Sequence, residues 1–304
     1  MAIDWMVFLA ILRHEGGGRL SLRPNPIERL TRPVIRNIME RHGLSPSRAL
    51  GQNFLCEPTL IDKIVRLARV EEGDAVVEIG PGLGSLTVGL ALAGASVLAV
   101  EIDRYLLPAL REVVAGLDVE VVNADALAVD WPTVLESWRP APGSGYRVVA
   151  NLPYNIATPL ILDLLRDRPE FTGWLVLVQR EVGERLAAAP GTAACGIPSV
   201  LMSYWGTAEV VGRVPAEVFL PRPKVESVLV RIERGPTPRI ECDFAPLATL
   251  VRAGFGQRRK MLRRSLAAHL TVEQIEAAEV RPTDRAEQLD LDAWGRLTRV
   301  HQAR

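Results

Sequence analysis

The chain has 304 residues, of which 48% are hydrophobic and 24% charged, and its 36 basic and 36 acidic residues cancel to no net charge. This length and composition are those of a soluble globular protein with one large core and room for a smaller domain. They exclude a globally basic chain, so any surface for nucleic acid must come from local clusters among basic residues that are all arginine except Lys63, Lys224 and Lys260.

The cysteines and histidines are scattered along the chain. Cys56, Cys195 and Cys242 are odd in number and lie in no metal-ligand spacing, which predicts reduced thiols and a cytoplasmic protein. The four histidines lie near no cysteine or carboxylate cluster. We therefore expect no metal site.

An apolar run, Trp5–Leu12, lies near the start of the chain. It is far shorter than the roughly 20 residues that span a bilayer. It also lacks the basic start and the small-residue cleavage site of a signal peptide. We expect no membrane association, and we interpret residues 1–29 as an N-terminal extension and a candidate for disorder.

Two amphipathic helices are predicted next, over Leu30–Arg41 and Thr59–Ala68, because their apolar residues recur at helical spacing. Gly43 ends the first. Between them lies the segment Leu50–Leu55, whose Gly-Gln-Asn triplet is typical of a turn. Its amides could contact a polar ligand or close a turn, and the sequence alone favours the turn.

A strand, a glycine turn and a helix follow, over Asp74–Ile79, Gly80–Gly84 and Ser85–Leu92. Glycines let the backbone approach a ligand closely, and the start of the helix offers unpaired N–H groups. The next predicted strand, Ser96–Val100, ends at Glu101, about 20 residues beyond the first glycine. An acid at that position is placed to accept hydrogen bonds from ribose hydroxyls.

This pattern also fits a nicotinamide dehydrogenase, but its glycine spacing differs from G-x-G-x-x-G, since the third glycine comes one residue early and Pro81 intrudes. Glu78 precedes the turn, and a third strand, Val119–Asn123, leads to Asp125. These acids fit a nucleoside ligand that lacks a pyrophosphate better than they fit a nicotinamide dinucleotide. The plain alternative is that Glu101 and Asp125 are solvated acids at strand ends.

An amide, a proline and an aromatic residue follow the fourth predicted strand, in the order Asn151-Leu152-Pro153-Tyr154. Ligands bind at the carboxyl ends of strands in open α/β sheets. An amide beside an aromatic ring there suits a flat, amino-bearing ring such as adenine. Asn and Pro are also ordinary turn residues, so a simple strand-to-helix turn is equally consistent with this sequence.

Strands and helices alternate up to about residue 235, which predicts a mostly parallel sheet with both faces covered. Beyond that point only helices are predicted, so we divide the chain into a domain over 30–235 and a small helical domain over 236–304. The remaining predicted elements are helices over Pro159–Arg166 and Glu181–Ala189, strands over Trp174–Gln179, Ala208–Arg213 and Ser227–Ile232, and helices over Phe244–Ala253, Arg259–His269, Val272–Glu279 and Leu291–Val300.

Two segments offer cations to phosphates. In Phe219–Val225 the prolines hold the chain extended beside Arg222 and Lys224, although a rigid apolar surface loop fits equally well. The stretch Arg252–Arg264 contains six cations and no acid. Such clustering indicates a nucleic-acid surface more than an ordinary solvated helix face.

Seven motifs in this order resemble the small-subunit ribosomal RNA adenine dimethyltransferases over about Leu30 to Trp294. Any one alone is weak, but together they are specific. They are Leu50–Leu55, Glu78–Gly84, Glu101–Asp103, Asn151–Ile156, Phe219–Val225, Phe255–Lys260 and Arg285–Glu287.

The resemblance implies an α/β fold, namely a Rossmann-like seven-strand class I methyltransferase sheet with a small all-helical C-terminal domain that binds RNA. It implies S-adenosyl-L-methionine as methyl donor and N6-dimethyladenine as product. The implied targets are two adjacent adenines in the loop of the hairpin near the 3′ end of 16S rRNA, within an assembling small ribosomal subunit. We expect the enzyme to be a monomer.

The resemblance also assigns residues. Gly80 would lie under the methionine part of the donor, Glu101 would hold the ribose hydroxyls and Asp125 would read the donor's adenine. Asn151 and the Leu152 or Pro153 carbonyl would accept the target's amino hydrogens, between the rings of Tyr154 and Phe219. The full expected sets are Gln52, Asn53, Leu55, Gly80, Gly82, Glu101, Ile102, Asp125, Ala126 and Asn151 for the donor, and Arg222, Lys224, Arg258, Arg259, Lys260 and Arg263 for RNA.

Three alternatives share parts of this pattern. Large-subunit RNA methyltransferases that confer macrolide resistance share the donor site, but the motifs Phe255–Lys260 and Arg285–Glu287 favour the small-subunit enzymes. DNA adenine methyltransferases commonly carry Asp where this chain has Asn151. A non-catalytic assembly or transcription factor of the same fold is the third alternative, against which the intact donor residues argue.

Overall fold

The computed structural model describes residues 29–138, 145–154 and 156–303. The expected N-terminal extension, apart from its last residue, and most of the predicted loop 140–145 lie outside these ranges. Within the described residues, no helix is long and apolar enough to cross a membrane.

Strands and helices alternate along most of the described chain, as expected for an α/β fold. In chain order they are α1 (Arg32–Arg41), β1 (Phe54–Leu55), α2 (Pro58–Ala68), β2 (Ala75–Ile79), α3 (Ser85–Leu92), β3 (Ser96–Glu101), α4 (Leu107–Val113), β4 (Val119–Asn123), α5 (Trp131–Trp138), β5 (Tyr146–Asn151), α6 (Ala157–Asp167), β6 (Phe171–Gln179), α7 (Arg180–Leu186), α8 (Ile197–Trp205), β7 (Gly206–Val214), β8 (Phe219–Leu220), β9 (Ser227–Arg234), α9 (Phe244–Gly256), α10 (Leu262–Ser265), α11 (Val272–Ala277) and α12 (Leu291–Gln302).

Seven strands form one sheet in the order β4-β3-β2-β5-β6-β9-β7. The five strands from β4 to β6 are parallel, whereas β9 runs antiparallel to both β6 and β7. The prediction of a mostly parallel, seven-stranded sheet is therefore confirmed. Strict alternation was wrong at the end, because no α-helix joins β7 to β9, and the prolines Pro215, Pro221 and Pro223 in that connection oppose one.

The central strands are buried on both faces because helices cover each side of the sheet. Every residue of β2 and β3 is buried. One face packs Trp131 against Phe171 edge to face, with ring centroids 5.3 Å apart. The other face packs Ile61 of α2 and Leu90 of α3 onto the sheet.

A separate two-stranded ribbon joins β1 to β8 in antiparallel fashion, with Phe54 opposite Leu220 and Leu55 opposite Phe219. The Cys56 N–H and Sγ extend the ribbon by donating to the Val218 carbonyl, over 2.9 and 3.1 Å. The sequence predicted a turn and an extended loop here, but not their pairing. The ribbon brings the Gly51-Gln52-Asn53 turn over the large sheet.

The helices that follow residue 235 share a core built around the fully buried Trp294. Val200, Leu201 and Tyr204 of α8 pack into the same core, so α8 connects these helices to the rest of the molecule. The boundary at residue 235 stays a prediction.

Two predicted helices extended at least three residues too far. The predicted helix Arg259–His269 is helical only over α10. It starts late because the N–H groups of Leu262 and Arg263 donate to the carbonyls of Asp284 and Pro282 instead of to the preceding turn. The helix predicted to reach Ala189 ends at Leu186.

Candidate active site

A cleft opens at the carboxyl ends of β2, β3, β4 and β5, beneath the turn that precedes β1. Its volume is about 1060 Å³ when the open mouth is included. The site residues predicted for the donor all line it, together with Leu152, Pro153 and Tyr154. The donor set in this lining is Gln52, Asn53, Leu55, Gly80, Gly82, Glu101, Ile102, Asp125, Ala126 and Asn151.

The floor of the cleft requires glycine. Gly80 and Gly82 have φ values of +70° and +60°, a region that side chains other than glycine rarely adopt. A Cβ on Gly82 would lie 2.9 Å from the ring of Phe54, and one on Gly80 would lie 3.3 Å from Pro153. The backbone here forms a cradle that any side chain would fill.

Glu101 is 4% exposed and ends β3 at the wall of the cleft. Its Oε2 accepts the Gly82 N–H over 3.0 Å and its Oε1 accepts the Asp103 N–H over 2.9 Å. Burial raises the pKa of Glu101, while these backbone donors act to lower it. Since each carboxylate oxygen retains further acceptor capacity, the group is oriented to receive a pair of hydroxyls.

Asp125 is exposed at the far end of the cleft. Its Oδ1 accepts the Leu127 N–H over 2.9 Å, which restrains the carboxylate at the cleft lining. Two apolar side chains nearby, Ile102 and Leu127, are 49% and 45% exposed. An apolar slot with an acceptor at its edge suits a flat ring that carries an amino group.

The turn above the cleft is fastened by its own amides. The Gln52 Nε2 donates to Asp103 Oδ2 over 2.7 Å, and Gln52 Oε1 accepts the Ser47 N–H over 2.7 Å. Asn53 Nδ2 donates to the Gly51 carbonyl over 2.9 Å. Both ends of the Gln52 amide are thus used within the protein, so Gln52 shapes the roof of the cleft.

Asn151 ends β5 with its amide orientation set by the backbone. Its Nδ2 donates to the Asn53 carbonyl over 2.9 Å. The Oδ1 therefore remains to accept a hydrogen bond at the cleft. Of the two neighbouring carbonyls, that of Pro153 accepts the Ile156 N–H over 3.2 Å, whereas that of Leu152 has no hydrogen-bond partner among the described residues.

Tyr154 is half-buried and borders the same cleft. Its hydroxyl is 2.8 Å from the Oγ of Ser227, the first residue of β9. Burial raises the pKa of Tyr154, and the Ser227 contact opposes that change. The ring is therefore held at both its backbone and its hydroxyl end.

The structure contradicts the expected role of Phe219 in stacking on a base. Its side chain is 0% exposed and belongs to the core beneath the sheet, next to Leu55 on the paired strand. It does not line the cleft. The motif letters could not reveal this, because the burial follows from a pairing with a strand far away along the chain.

The predicted RNA-binding cations differ in their surroundings. Arg258 is committed to the protein, because its Nε donates to Glu287 and its Nη2 to the Ala193 carbonyl, each over 2.7 Å. Arg222 pairs with Glu217, and Lys224 is exposed. The remaining predicted cations are exposed and have no ion pair within the described ranges; they are Arg259, Lys260 and Arg263.

Glu78 lines the cleft without a role assigned from its sequence position. It is 1% exposed, and its Oε2 has no hydrogen-bond partner within the described part of the chain. Burial raises the pKa of Glu78 from 4.5 to about 8. The sequence did contain a signal that Glu78 is unusual, because it is the only acid in the otherwise apolar strand β2.

Residues 44–302 match the model of a family described as ribosomal RNA adenine dimethylase. The chain belongs to this family. Similar proteins from Pelotomaculum thermopropionicum and Leifsonia xyli, both named ribosomal RNA small subunit methyltransferase A, are each 44% identical to it. The alignments cover 87% and 90% of this chain and 94% and 99% of those relatives.

Solved structures share the adenine dimethylase fold. A dimethyladenosine transferase from Plasmodium falciparum aligns with a TM-score of 0.68 and 24% identity, over 80% of this chain and 95% of that one. The 23S rRNA methyltransferase ErmE aligns with a TM-score of 0.63 and 27% identity, over 82% of this chain and 100% of its own. Both confirm the predicted class I methyltransferase fold.

Proposed function

We propose that this adenine dimethylase transfers methyl groups from S-adenosyl-L-methionine to the N6 atoms of two adjacent adenines in the 3′-terminal hairpin loop of 16S rRNA. One observation carries the proposal. Beside a cleft suited to a nucleoside, the Asn151 amide presents an acceptor and Tyr154 presents a ring. The substrate is an assembling small subunit, and the enzyme acts as a monomer.

The cleft fits the donor in three respects. Gly80 and Gly82 line the cleft with bare backbone, which would let the methionine part of the donor approach closely. Glu101 is oriented to accept the ribose hydroxyls. The Asp125 carboxylate and the apolar slot beside it would hold the adenine. When bound, S-adenosyl-L-methionine supplies an electrophilic methyl group on a sulfonium.

The target nitrogen needs alignment more than acid–base help. Adenine's exocyclic nitrogen is a poor nucleophile because its lone pair is delocalised into the ring. Two acceptors, Asn151 Oδ1 and the Leu152 carbonyl, would take its hydrogens and draw it toward tetrahedral geometry. Alignment of this kind contributes several kcal/mol, up to about 7–11 in favourable cases.

The adenine must leave its stack to enter the site, which is easiest for a base in a loop. Tyr154 would cover one face of the base, and stacking of this kind is worth roughly 1–3 kcal/mol per base. Lys224, Arg259, Lys260 and Arg263 would hold the surrounding phosphates. Arg222 would join them by exchanging Glu217 for a phosphate.

The choice of small-subunit RNA rests on the relatives. Those named for the small subunit are 36–44% identical to this chain over most of its length, whereas ErmE, named for 23S rRNA, is 27% identical. The fold alone supports either target. The intact donor residues favour catalysis over a non-catalytic assembly role.

The test offers labelled donor to unmodified small subunits, large subunits and naked DNA, and then maps the methyl groups. We expect label on two adjacent adenines of the small-subunit hairpin. Asn151→Ala is the matched control, which should bind RNA as the wild type does but transfer no label. Label found mainly in large-subunit RNA would overturn the choice of target.

A further inference from the structure

We propose that Ser227 is a positioning residue that holds the Tyr154 ring in the orientation required to cover the target adenine. This inference rests on the proposed function and adds a positioning residue to it. The observation behind it is the 2.8 Å contact between the Ser227 Oγ and the Tyr154 hydroxyl.

Ser227 is a fixed support for that contact. It is 1% exposed and lies in a strand with neighbours on both sides, opposite Gln179 of β6 and Val214 of β7. A residue paired on both sides cannot shift without breaking sheet hydrogen bonds. Its short side chain also has few rotamers, so the hydroxyl stays in place.

Tyr154, in contrast, lies just beyond the end of β5, in a segment without sheet pairing. The hydroxyl contact therefore adds a second point of attachment for the ring, beyond its own backbone. A half-buried phenol hydroxyl without a partner would turn toward water and take the ring with it. The Ser227 contact therefore lowers the ordering cost when a base stacks on the ring.

Ser227 also follows a segment that carries two candidate phosphate ligands, Arg222 and Lys224, both exposed. The end of this segment is anchored at Glu226, whose carbonyl accepts the Arg180 N–H over 2.9 Å and whose carboxylate pairs with Arg180 over 2.8 Å. RNA phosphates held by Arg222 and Lys224 would lie five and three residues before the group that orients Tyr154. The segment that would hold the RNA phosphates therefore leads directly into the strand that supports Tyr154.

A double-mutant cycle tests the contact. We compare Ser227→Ala, Tyr154→Phe and the double variant with the wild type, measuring the single-turnover rate on unmodified small subunits and the donor Kd. Loss of one hydrogen bond predicts about a tenfold slower transfer in Ser227→Ala with unchanged donor Kd. In the Tyr154→Phe background, Ser227→Ala should cause no further loss. Ser227→Thr, which keeps the hydroxyl and suits a strand, should restore the rate.

Equal loss from Ser227→Ala in both backgrounds would overturn the proposal, since it would show that Ser227 acts only through general stability.

A second measurement, by NMR of the tyrosine rings, needs no RNA. The chain has four tyrosines, so ¹³C-labelled tyrosine rings can be assigned by Tyr→Phe substitution. Ser227→Ala should shift and broaden the Tyr154 signal alone.

An unchanged Tyr154 signal in Ser227→Ala would also overturn the proposal. If the wild type fails to methylate small subunits, the proposed function is rejected, and the ring signal still decides whether Ser227 orients Tyr154. The two failures are therefore separable.

Discussion

Asn151 is held by one backbone carbonyl, and that contact explains why an amide suits this position. The Asn53 carbonyl needs a donor, which Asn151 Nδ2 supplies over 2.9 Å. An amide can donate at one end and accept at the other, whereas an ionised carboxylate can only accept. In the proposed function, one residue thus links the roof of the cleft to the acceptor for the target.

Replacing Asn151 by Asp should expose this requirement. A carboxylate oxygen would face the Asn53 carbonyl, so we expect methyl transfer at pH 8 to fall by about 100-fold. Transfer should recover partly toward pH 6, because a protonated carboxyl regains a donor. The measurement is the single-turnover rate across pH 6–8. Asn151→Ala is the control and should stay slow at every pH; a wild-type rate for Asn151→Asp at pH 8 would contradict the interpretation.

Glu78 predicts how stability depends on pH. Its pKa is about 8 in the folded protein because it is buried, against an ordinary value of 4.5. Between these values the folded state keeps a proton that the unfolded state has lost, so stability falls as pH rises from 4.5 to 8 and levels off above. Glu78→Gln mimics the protonated form and removes this dependence.

The stability difference between Glu78→Gln and the donor-free wild type should therefore depend on pH. We expect this difference in the free energy of unfolding to grow in favour of Glu78→Gln by roughly 3 kcal/mol between pH 5 and pH 7.5. Urea unfolding of both proteins at a series of pH values measures this difference. Parallel curves for the two proteins would mean that Glu78 is ionised when folded.

At the scale of elements, the basic segment over 257–264 is a turn leading into the single-turn helix α10. Its cations divide into two kinds. Arg258 pairs with Glu287, and the Gly191 N–H donates to the Glu287 carbonyl over 2.7 Å, so this pair ties the chain after α7 to the C-terminal helices. Arg259 and Lys260 point outward and are exposed.

Charge reversal should separate these roles. Arg259→Glu with Lys260→Glu should weaken RNA binding and reduce the slope of log K against log salt by about two, one for each lost phosphate contact. The double reversal Arg66→Glu and Arg69→Glu, at the end of α2, is the matched control and should change the slope little. Filter binding at several salt concentrations provides the slopes.

Arg258→Ala should instead lower the melting temperature and leave that slope nearly unchanged. A slope change for Arg258→Ala as large as that for Arg259 and Lys260 would show that Arg258 leaves Glu287 to bind RNA.

At the scale of the whole molecule, the sequence predicted the features that are determined by residues close together in the chain, such as strands, turns and strand ends. The glycine turn, Glu101, Asp125 and Asn151 lie in one cleft because parallel strands bring their carboxyl ends to one edge of a sheet, wherever each strand lies in its order. Apolar runs identified the strands of the main sheet because a buried strand is apolar along its own length.

What the sequence could not provide were contacts between distant segments. Phe219 is buried because it pairs with Leu55, and Arg258 is neutralised because Glu287 folds back onto it. The helices α4, α5 and α8 were also missed. Proline is the second residue of α4 and of α5, and Gly196 precedes α8, so residues typical of turns hid all three helices.

The ribbon between β1 and β8 has a consequence for how the protein is made. Cys56 and Val218, which hydrogen-bond within it, are 162 positions apart in the chain. A nascent chain that has emerged only as far as β7 already contains the glycine turn, both acids and Asn151, yet it lacks the partner strand of the roof. The contacts of Gln52 and Asn53 can form in such a chain, but β1 gains its partner strand only after β8 has left the ribosome.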